Sequence, residues 1–412
     1  MNQKLRIHAE KAVYTAINEV LPEGAVRRAL AGRSFPGRVF LIAVGKAASR
    51  MINAAINTVP VIPEDCIAVS KYGHFEDADK TVRCYEAGHP VPDENSILAA
   101  EEILRVTKSL REDDTVIFLL SGGGSALFEK PLIPLAELQD ITKQLLACGA
   151  DITEINTIRK RLSAVKGGKF AEHCFPAHVE AVILSDILGD PADMIASGPV
   201  SPDRSTCKDA VRIAEKYSLK LSDQAWECLK TETPKSLSNV NIQIVGSVRE
   251  LCKAAANACR MMGYEPVYLT DLVSCEAREA GRFMASVLKS HSRDGKNLAF
   301  LVGGEPVVHL TGSGLGGRNQ ELALAACEGL RGVSNAAIIS AGSDGTDGPT
   351  DAAGGYADGD TYDELAKAGL NLYSVLENND AYHALKAVGN LIITGPTGTN
   401  VNDICIGLID AE

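Results

Sequence analysis

The sequence predicts an α/β protein of two domains, each with a mainly parallel sheet flanked by helices. Three observations carry this. The chain has 412 residues, too many for one ordinary core. Near-continuous Val/Ile/Leu runs alternate with segments of helical periodicity, the pattern of a sheet covered on both faces. The glycine-rich turns fall at the carboxyl ends of those runs, the edge where open parallel sheets bind ligands.

The elements follow in order. The first segment, "MNQKLRIHAEKAVYTAINEV", reads as an amphipathic helix, with Leu5, Ala12, Val13, Ala16, Ile17 and Val20 at helical spacing. No apolar h-region follows its basic end, so it is not a signal peptide. "RVFLIAV" (38–44), "CIAVS", "TVIFLL" and "HVEAVILS" read as strands, separated by the helices "AASRMINAAINTV", "ENSILAAEEILRVTKSL" and "LAELQDITKQLLACG". The polar stretch "KTETPKSLSN" (230–239) is the expected linker. The pattern then restarts with "NIQIVG", "EPVYLT", "LAFLVGG" and "AAIISAG", again alternating with helices, and closes on "LIITGPTGTNVNDICIGLI". The domains are therefore expected at 1–235 and 240–412.

Composition excludes several functions. A net charge of −12 and the lack of a basic run with interleaved aromatics argue against nucleic-acid binding. No apolar run approaches the ~18 residues of a membrane span. The 11 cysteines are scattered singly with no CxxC pair, as in a reduced cytoplasmic protein. The histidines show no metal-ligand spacing, which disfavours a zinc hydrolase. "SGGGS" is not the Gly-x-Ser-x-Gly elbow of a serine hydrolase.

The loop Ser121-Gly122-Gly123-Gly124-Ser125 follows a buried strand. Taken alone it can be a plain turn. It can also let an anion reach consecutive backbone N–H groups at a helix start. Phosphoryl transfer needs positive charge near the phosphates, acidic groups for a metal and a positioned hydroxyl. Lys46, directly after a strand, and Arg318, at a helix start, can supply the charge. Arg159, Arg161 and Lys166 lie on "NTIRKRLSAVKGGK", partly a solvated face. "SDILGDPAD" offers Asp186, Asp190 and Asp193, and "SDGTDGPTD" offers Asp344, Asp347 and Asp351. The competing motif is "GSGLGG" (312–317), a loose Gly-x-Gly-x-x-Gly after "PVVHLT". It would make the protein a nicotinamide enzyme.

Taken together, "AVGKAASRM", "AGHPVPDENS", "LLSGGGSAL", "NTIRKRLSAVKGGK", "LSDILGDPADMIASGPVSPD", "VGGEPVV", "GLGGRNQELAL", "SAGSDGTDGPTDAAGG" and "TGPTGTNVND" resemble the type-2 glycerate kinases, the glycerate 2-kinase family with a C-terminal MOFRL domain. The resemblance implies a Rossmann-like N-terminal domain, a smaller MOFRL-type C-terminal domain and an active site in the cleft between them. It implies transfer of phosphate from ATP, with Mg²⁺, to the 2-hydroxyl of D-glycerate. Lys46, Arg318 and Asp186 are then the expected catalytic residues, with the Ser121–Ser125 loop on the nucleotide phosphates. Lys166, Asn319, Glu305 and Asp344 are expected to bind substrate or support the site; Asp186 or Asp190 can accept the 2-hydroxyl proton or bind the metal, with Asp190 taken as the metal ligand. Small molecules are the expected partners, a homodimer a candidate assembly. An NAD(P)H-dependent hydroxypyruvate reductase and a non-catalytic phosphometabolite-binding protein are the alternatives.

Overall fold

Sheet connectivity, seen in a computed structural model that describes residues 2–75 and 77–411, divides the chain into two compact units. One is Pro22–Val245; the other joins the N-terminal segment up to Leu21 with the chain from Gly246 onward.

The first unit holds β1 (Val39–Val44), β2 (Asp65–Lys71), β3 (Arg83–Ala87), β4 (Thr115–Leu120), β5 (His178–Leu184) and β6 (Val240–Gly246), in the order β3-β2-β1-β4-β5-β6. The pairings β3–β2, β2–β1, β1–β4 and β4–β5 are parallel. Successive side chains leave a strand on opposite faces. Phe40, Ile42, Val44, Val116, Phe118 and Leu120 accordingly pack on one side with Phe128 and Phe170. Leu41, Ala43, Ile117 and Leu119 pack on the other with Met51 and Ile52 of the helix Ala48–Ile56. Two buried faces explain why β1 and β4 read as unbroken apolar runs. A further cluster ties together the helices Leu135–Ala147, Ile152–Leu162, Cys207–Lys216 and Asp223–Lys230.

The second unit holds β7 (Glu265–Val273), β8 (Leu298–Gly304), β9 (Ala336–Gly342), β10 (Gly354–Asp358), β11 (Leu391–Ile392) and β12 (Asp403–Ile409), in the order β11-β10-β9-β12-β8-β7. This sheet corrects the expectation of a mainly parallel one: β7–β8 is parallel, whereas β12 runs antiparallel to both β8 and β9, and β10 antiparallel to β9 and β11. The last strand inserts between two strands that point the same way. Apolar runs record burial, not direction.

Two expected boundaries also move. The helix Gln3–Glu19 packs against the helix Val248–Met261, β9 and β12, in the second unit rather than the first. His8 Nδ1 meets the Tyr264 hydroxyl at 2.9 Å, and Lys4 pairs with Asp410 at 2.8 Å. The stretch 230–239 is no linker. The buried Thr233 hydroxyl donates to Asp203 (2.8 Å), Asn239 donates to two backbone carbonyls, and β6 adds to the first sheet beside β5. Thr233 and Asn239 are buried and satisfied inside the unit, while Lys230, Thr231, Glu232, Lys235, Ser236 and Ser238 are exposed, so the polarity marks a surface segment of the unit and not a linker.

Candidate active site

In a sheet of order 3-2-1-4-5-6 the connections leave β1 and β4 toward opposite sides, and ligands bind at that switch point. The loops after β1 and β4 are Gly45-Lys46 and Ser121–Ser125. They are stitched together: Lys46 N–H donates to Gly122 O (2.9 Å) and Ala47 N–H to Ser121 Oγ (3.1 Å). Ser121 is buried in this role, a brace between the loops. The half-buried Lys46 ammonium makes no hydrogen bond or ion pair among the described residues.

Each loop glycine is overlain by a neighbour. A Cβ on Gly122 would stand 2.4 Å from Asp186 Oδ2, one on Gly123 3.1 Å from His89 Cδ2, and one on Gly124 2.8 Å from the Ala196 Cβ. Gly123 also has φ +92°, which favours glycine. The N–H groups of Gly122, Gly123, Gly124 and Ser125 have no acceptor among the described residues. The three glycines thus do more than turn the chain: they admit side chains from the loops after β3 and β5 onto a row of N–H groups without acceptors among the described residues.

The loop is held from beneath. Lys166 is fully buried and donates to the carbonyls of Ser125 and Phe128, both at 2.8 Å. Burial pushes its ammonium down to about 8, with Glu129, at 3.5 Å, pulling the other way. Arg159 donates to the same Ser125 carbonyl at 2.9 Å. Lys166 therefore supports the loop and does not face a ligand. Ser125 Oγ lies 3.3 Å from Ser197 Oγ, which donates to Asn156 Oδ1 at 2.7 Å. Ala196 and Ser197 have φ +50° and +62°, backbone strain of the kind that concentrates at functional sites. Arg161 is buried on Asp203, not on a solvated face.

The acidic residues separate into roles. Asp186 lies on the loop. Asp190, at φ +52°, has a buried Oδ1 without a hydrogen-bond partner among the described residues. Asp193 pairs with Lys160 at 3.2 Å. Among the described residues no three His, Cys, Asp or Glu side chains cluster as a ready-made metal cage.

In the second unit Arg318 opens the helix Arg318–Leu330. Its Nε and Nη2 engage both oxygens of Asp403, and Nη1 reaches Glu305 Oε1 at 3.0 Å. A guanidinium has five donors, so two stay available on a side chain 34% exposed. Burial pushes the Asp403 carboxyl up to about 6, with Asp347 adding to the rise and Arg318 opposing it. Asp347 accepts from the N–H groups of Asn319 (3.1 Å) and Gln320 (2.8 Å), capping the helix from another loop. Asn319 is buried between Asp347 and the Ser340 hydroxyl, so it fixes the turn that aims Arg318. Asp344 accepts from Thr346 N–H (2.9 Å) in a local turn. Asn402 contacts Glu305 at 3.3 Å. His89 and Asp403 were not singled out from the sequence as site residues, and Asp347 was offered only as one of three acidic residues in its loop. Their positions in "AGHPVP", "GTDG" and "NVND" were the available signals.

The "GSGLGG" loop does not form a dinucleotide cradle. Residues 306–311, which precede it, are irregular apart from one bridge at Val307 and supply no strand for a dinucleotide loop to follow. A Cβ on Gly312 would stand 2.4 Å from the Asn378 Cα, one on Gly314 2.5 Å from Asn378 O, and one on Gly317 2.3 Å from Asp347 Cγ. These glycines serve chain packing.

Residues 8–230 match the family described as a domain of unknown function, DUF4147, and residues 298–403 match the MOFRL family. The D-glycerate 2-kinase of Thermotoga maritima is 50% identical over 413 residues, covering 99% of each chain. The chain belongs to the MOFRL-type glycerate 2-kinase family. The glycerate 2-kinase of Pyrococcus horikoshii is 41% identical over 397 residues, 91% of this chain and 88% of that one. The crystal structure of the Thermotoga maritima glycerate kinase matches with a TM-score of 0.94 at 49% identity, covering 99% of this chain and 100% of that one. The glycerate 2-kinase fold therefore extends over both units, and the loops described above are its sheet-edge loops.

Proposed function

We propose that the protein transfers the γ-phosphoryl group of ATP to the 2-hydroxyl of D-glycerate, giving 2-phospho-D-glycerate and ADP. The observation that carries this reading is the row of four unpaired N–H groups at Gly122–Ser125, at the switch point of the first sheet and beside Lys46. Consecutive N–H groups and a nearby ammonium suit a polyphosphate. The near-complete coverage by proteins named D-glycerate 2-kinase supplies the acceptor.

The chemistry divides among the named side chains. The loop holds nucleotide phosphates, and Lys46 balances charge that develops on the transferred group. Arg318 offers a fixed fork to the carboxylate of glycerate or to the phosphoryl oxygens. Asp403, Glu305 and Asn319 hold it in place, and Asp344 shapes the neighbouring loop. Asp186, against Gly122, orients the acceptor hydroxyl. A nucleotide-bound Mg²⁺ keeps several waters and needs only one or two protein carboxylates. The orphaned Oδ1 of Asp190 fits that demand, so Asp190 would hold the ion, which neutralises phosphate charge when bound.

Hydroxypyruvate reduction would need a nicotinamide site, and the packed glycines of 312–317 speak against one there. The partners of this reading are ATP and D-glycerate. The described helices include none long and apolar enough to cross a membrane, and the cysteines are free, in keeping with a cytoplasmic enzyme. The test is ADP release from ATP and Mg²⁺. It should depend on D-glycerate, while hydroxypyruvate with NADH gives no oxidation. NADH oxidation without ADP release would overturn the reading.

A further inference from the structure

We propose that His89 is the base that takes the proton of the attacking hydroxyl, an assignment that rests on the kinase reading above. His89 lies in the loop after β3, at the same carboxyl edge as the Ser121–Ser125 loop. Its ring lies over Gly123, with Cδ2 and Nε2 3.1 and 3.2 Å from where a Cβ would stand. That is the bend from which the unpaired N–H groups fan out. The ring is half-buried, and neither nitrogen has a hydrogen-bond partner among the described residues. An imidazole so placed has a lone pair and no committed role in the fold.

Its surroundings keep that lone pair available. Burial, then Lys46 after β1, Lys71 at the end of β2 and His74 beyond it hold His89 below its ordinary value. Two carboxylates are nearby. Asp186 lies on the adjacent Gly122, and Asp93 is committed to the Tyr72 hydroxyl (2.6 Å) and Ser96 N–H (3.0 Å). His89 is therefore neutral at neutral pH, and a neutral imidazole is a competent base. In the step, the acceptor oxygen bonds to the γ-phosphorus as the bond from that phosphorus to the β–γ bridging oxygen breaks. The hydroxyl proton passes to the free ring nitrogen, ADP departs, and the imidazolium returns its proton to solvent.

The experiment is the pH dependence of kcat, with saturating ATP, Mg²⁺ and D-glycerate, for wild type, His89→Gln, Asp186→Asn and Lys71→Met. Wild type should lose activity on an acid limb below the ordinary histidine range. His89→Gln should lower kcat by ~10²-fold and abolish the limb, with little change in KM for D-glycerate. Asp186→Asn should keep the limb. Lys71→Met removes a neighbouring positive charge and should move the limb to higher pH, a readout that needs no folded His89 variant. A limb that survives in His89→Gln, or vanishes only in Asp186→Asn, overturns the assignment, as does a Lys71→Met profile that does not move. Wild type that phosphorylates D-glycerate while His89→Gln is unimpaired removes the histidine alone. Wild type without turnover removes the kinase reading as well.

Discussion

Asp186 Oδ2 lies so close over Gly122 that a Cβ on the glycine would stand 2.4 Å from it. This contact joins the β4 and β5 loops beside the switch point between β1 and β4. It also gives Gly122→Ala a specific expected outcome. The backbone there is not left-handed, and the clash is with the end of a side chain, so the fold survives. Asp186 must move, and an ~1 Å displacement of a positioned group can cost ~10²-fold in rate. Kinetics beside thermal melting checks this: kcat should fall by ~10–10²-fold at nearly unchanged Tm.

Lys46 tests the charge at the same edge. Lys46→Met keeps the stem and removes the ammonium. If Lys46 acts on charge developing in the transition state, kcat should fall by ~10²–10⁴-fold, with a smaller change in KM. Full activity would return Lys46 to the ordinary surface lysines.

The pair Arg318–Asp403 holds geometry rather than stability. Asp403, pushed up to about 6, binds its proton more readily in the folded chain than at the ordinary carboxylate value of ~3.9. Its ionisation therefore lowers folding stability as pH rises from ~4 to ~6. Asp403→Asn lacks this loss, so its stability relative to wild type should improve across that window and be level above it. Its kcat near pH 8 should nevertheless fall by ~10-fold, because Arg318 loses a two-point anchor. Paired denaturation curves over pH, with kinetics on the same samples, measure both effects.

The N-terminal helix Gln3–Glu19 is predicted to stabilise the second unit. Leu5, Ala9, Ala12, Val13, Ala16 and Ile17 are buried there. Each of Leu5, Val13 and Ile17 contributes ~1.5–3 kcal/mol when fully buried. A chain lacking residues 1–21 should therefore melt at lower temperature, with early proteolysis confined to 246–411. A truncated chain that melts like the full one would contradict the packing.

The alternation of buried strands and helices was legible because β1 and β4 are covered on both faces. β3 was not: "RCYEA" is a half-buried edge strand with little apolar signal. β10 hid in the glycine-rich "AGGYAD", where Gly354 packs directly on the Ser340 carbonyl. At the site, the glycine loop, Lys46 and Arg318 stood out as residue types with few structural excuses. The supports did not. Nothing local to Asp403 or Asp347 indicates that they reach Arg318 and the helix it opens, because those contacts span 85 and 28 residues. For Lys166, expected to bind substrate or support the site, the sequence could not choose between the two, because it shows the charge but not the burial that makes the residue a support.

The most direct test of the account is the position of phosphorylation. The product of ATP, Mg²⁺ and D-glycerate, examined by phosphorus–proton correlation NMR, should show its phosphorus coupled to the single proton on C2. Coupling to the two protons on C3, or no phosphorylated glycerate at all, would contradict the account.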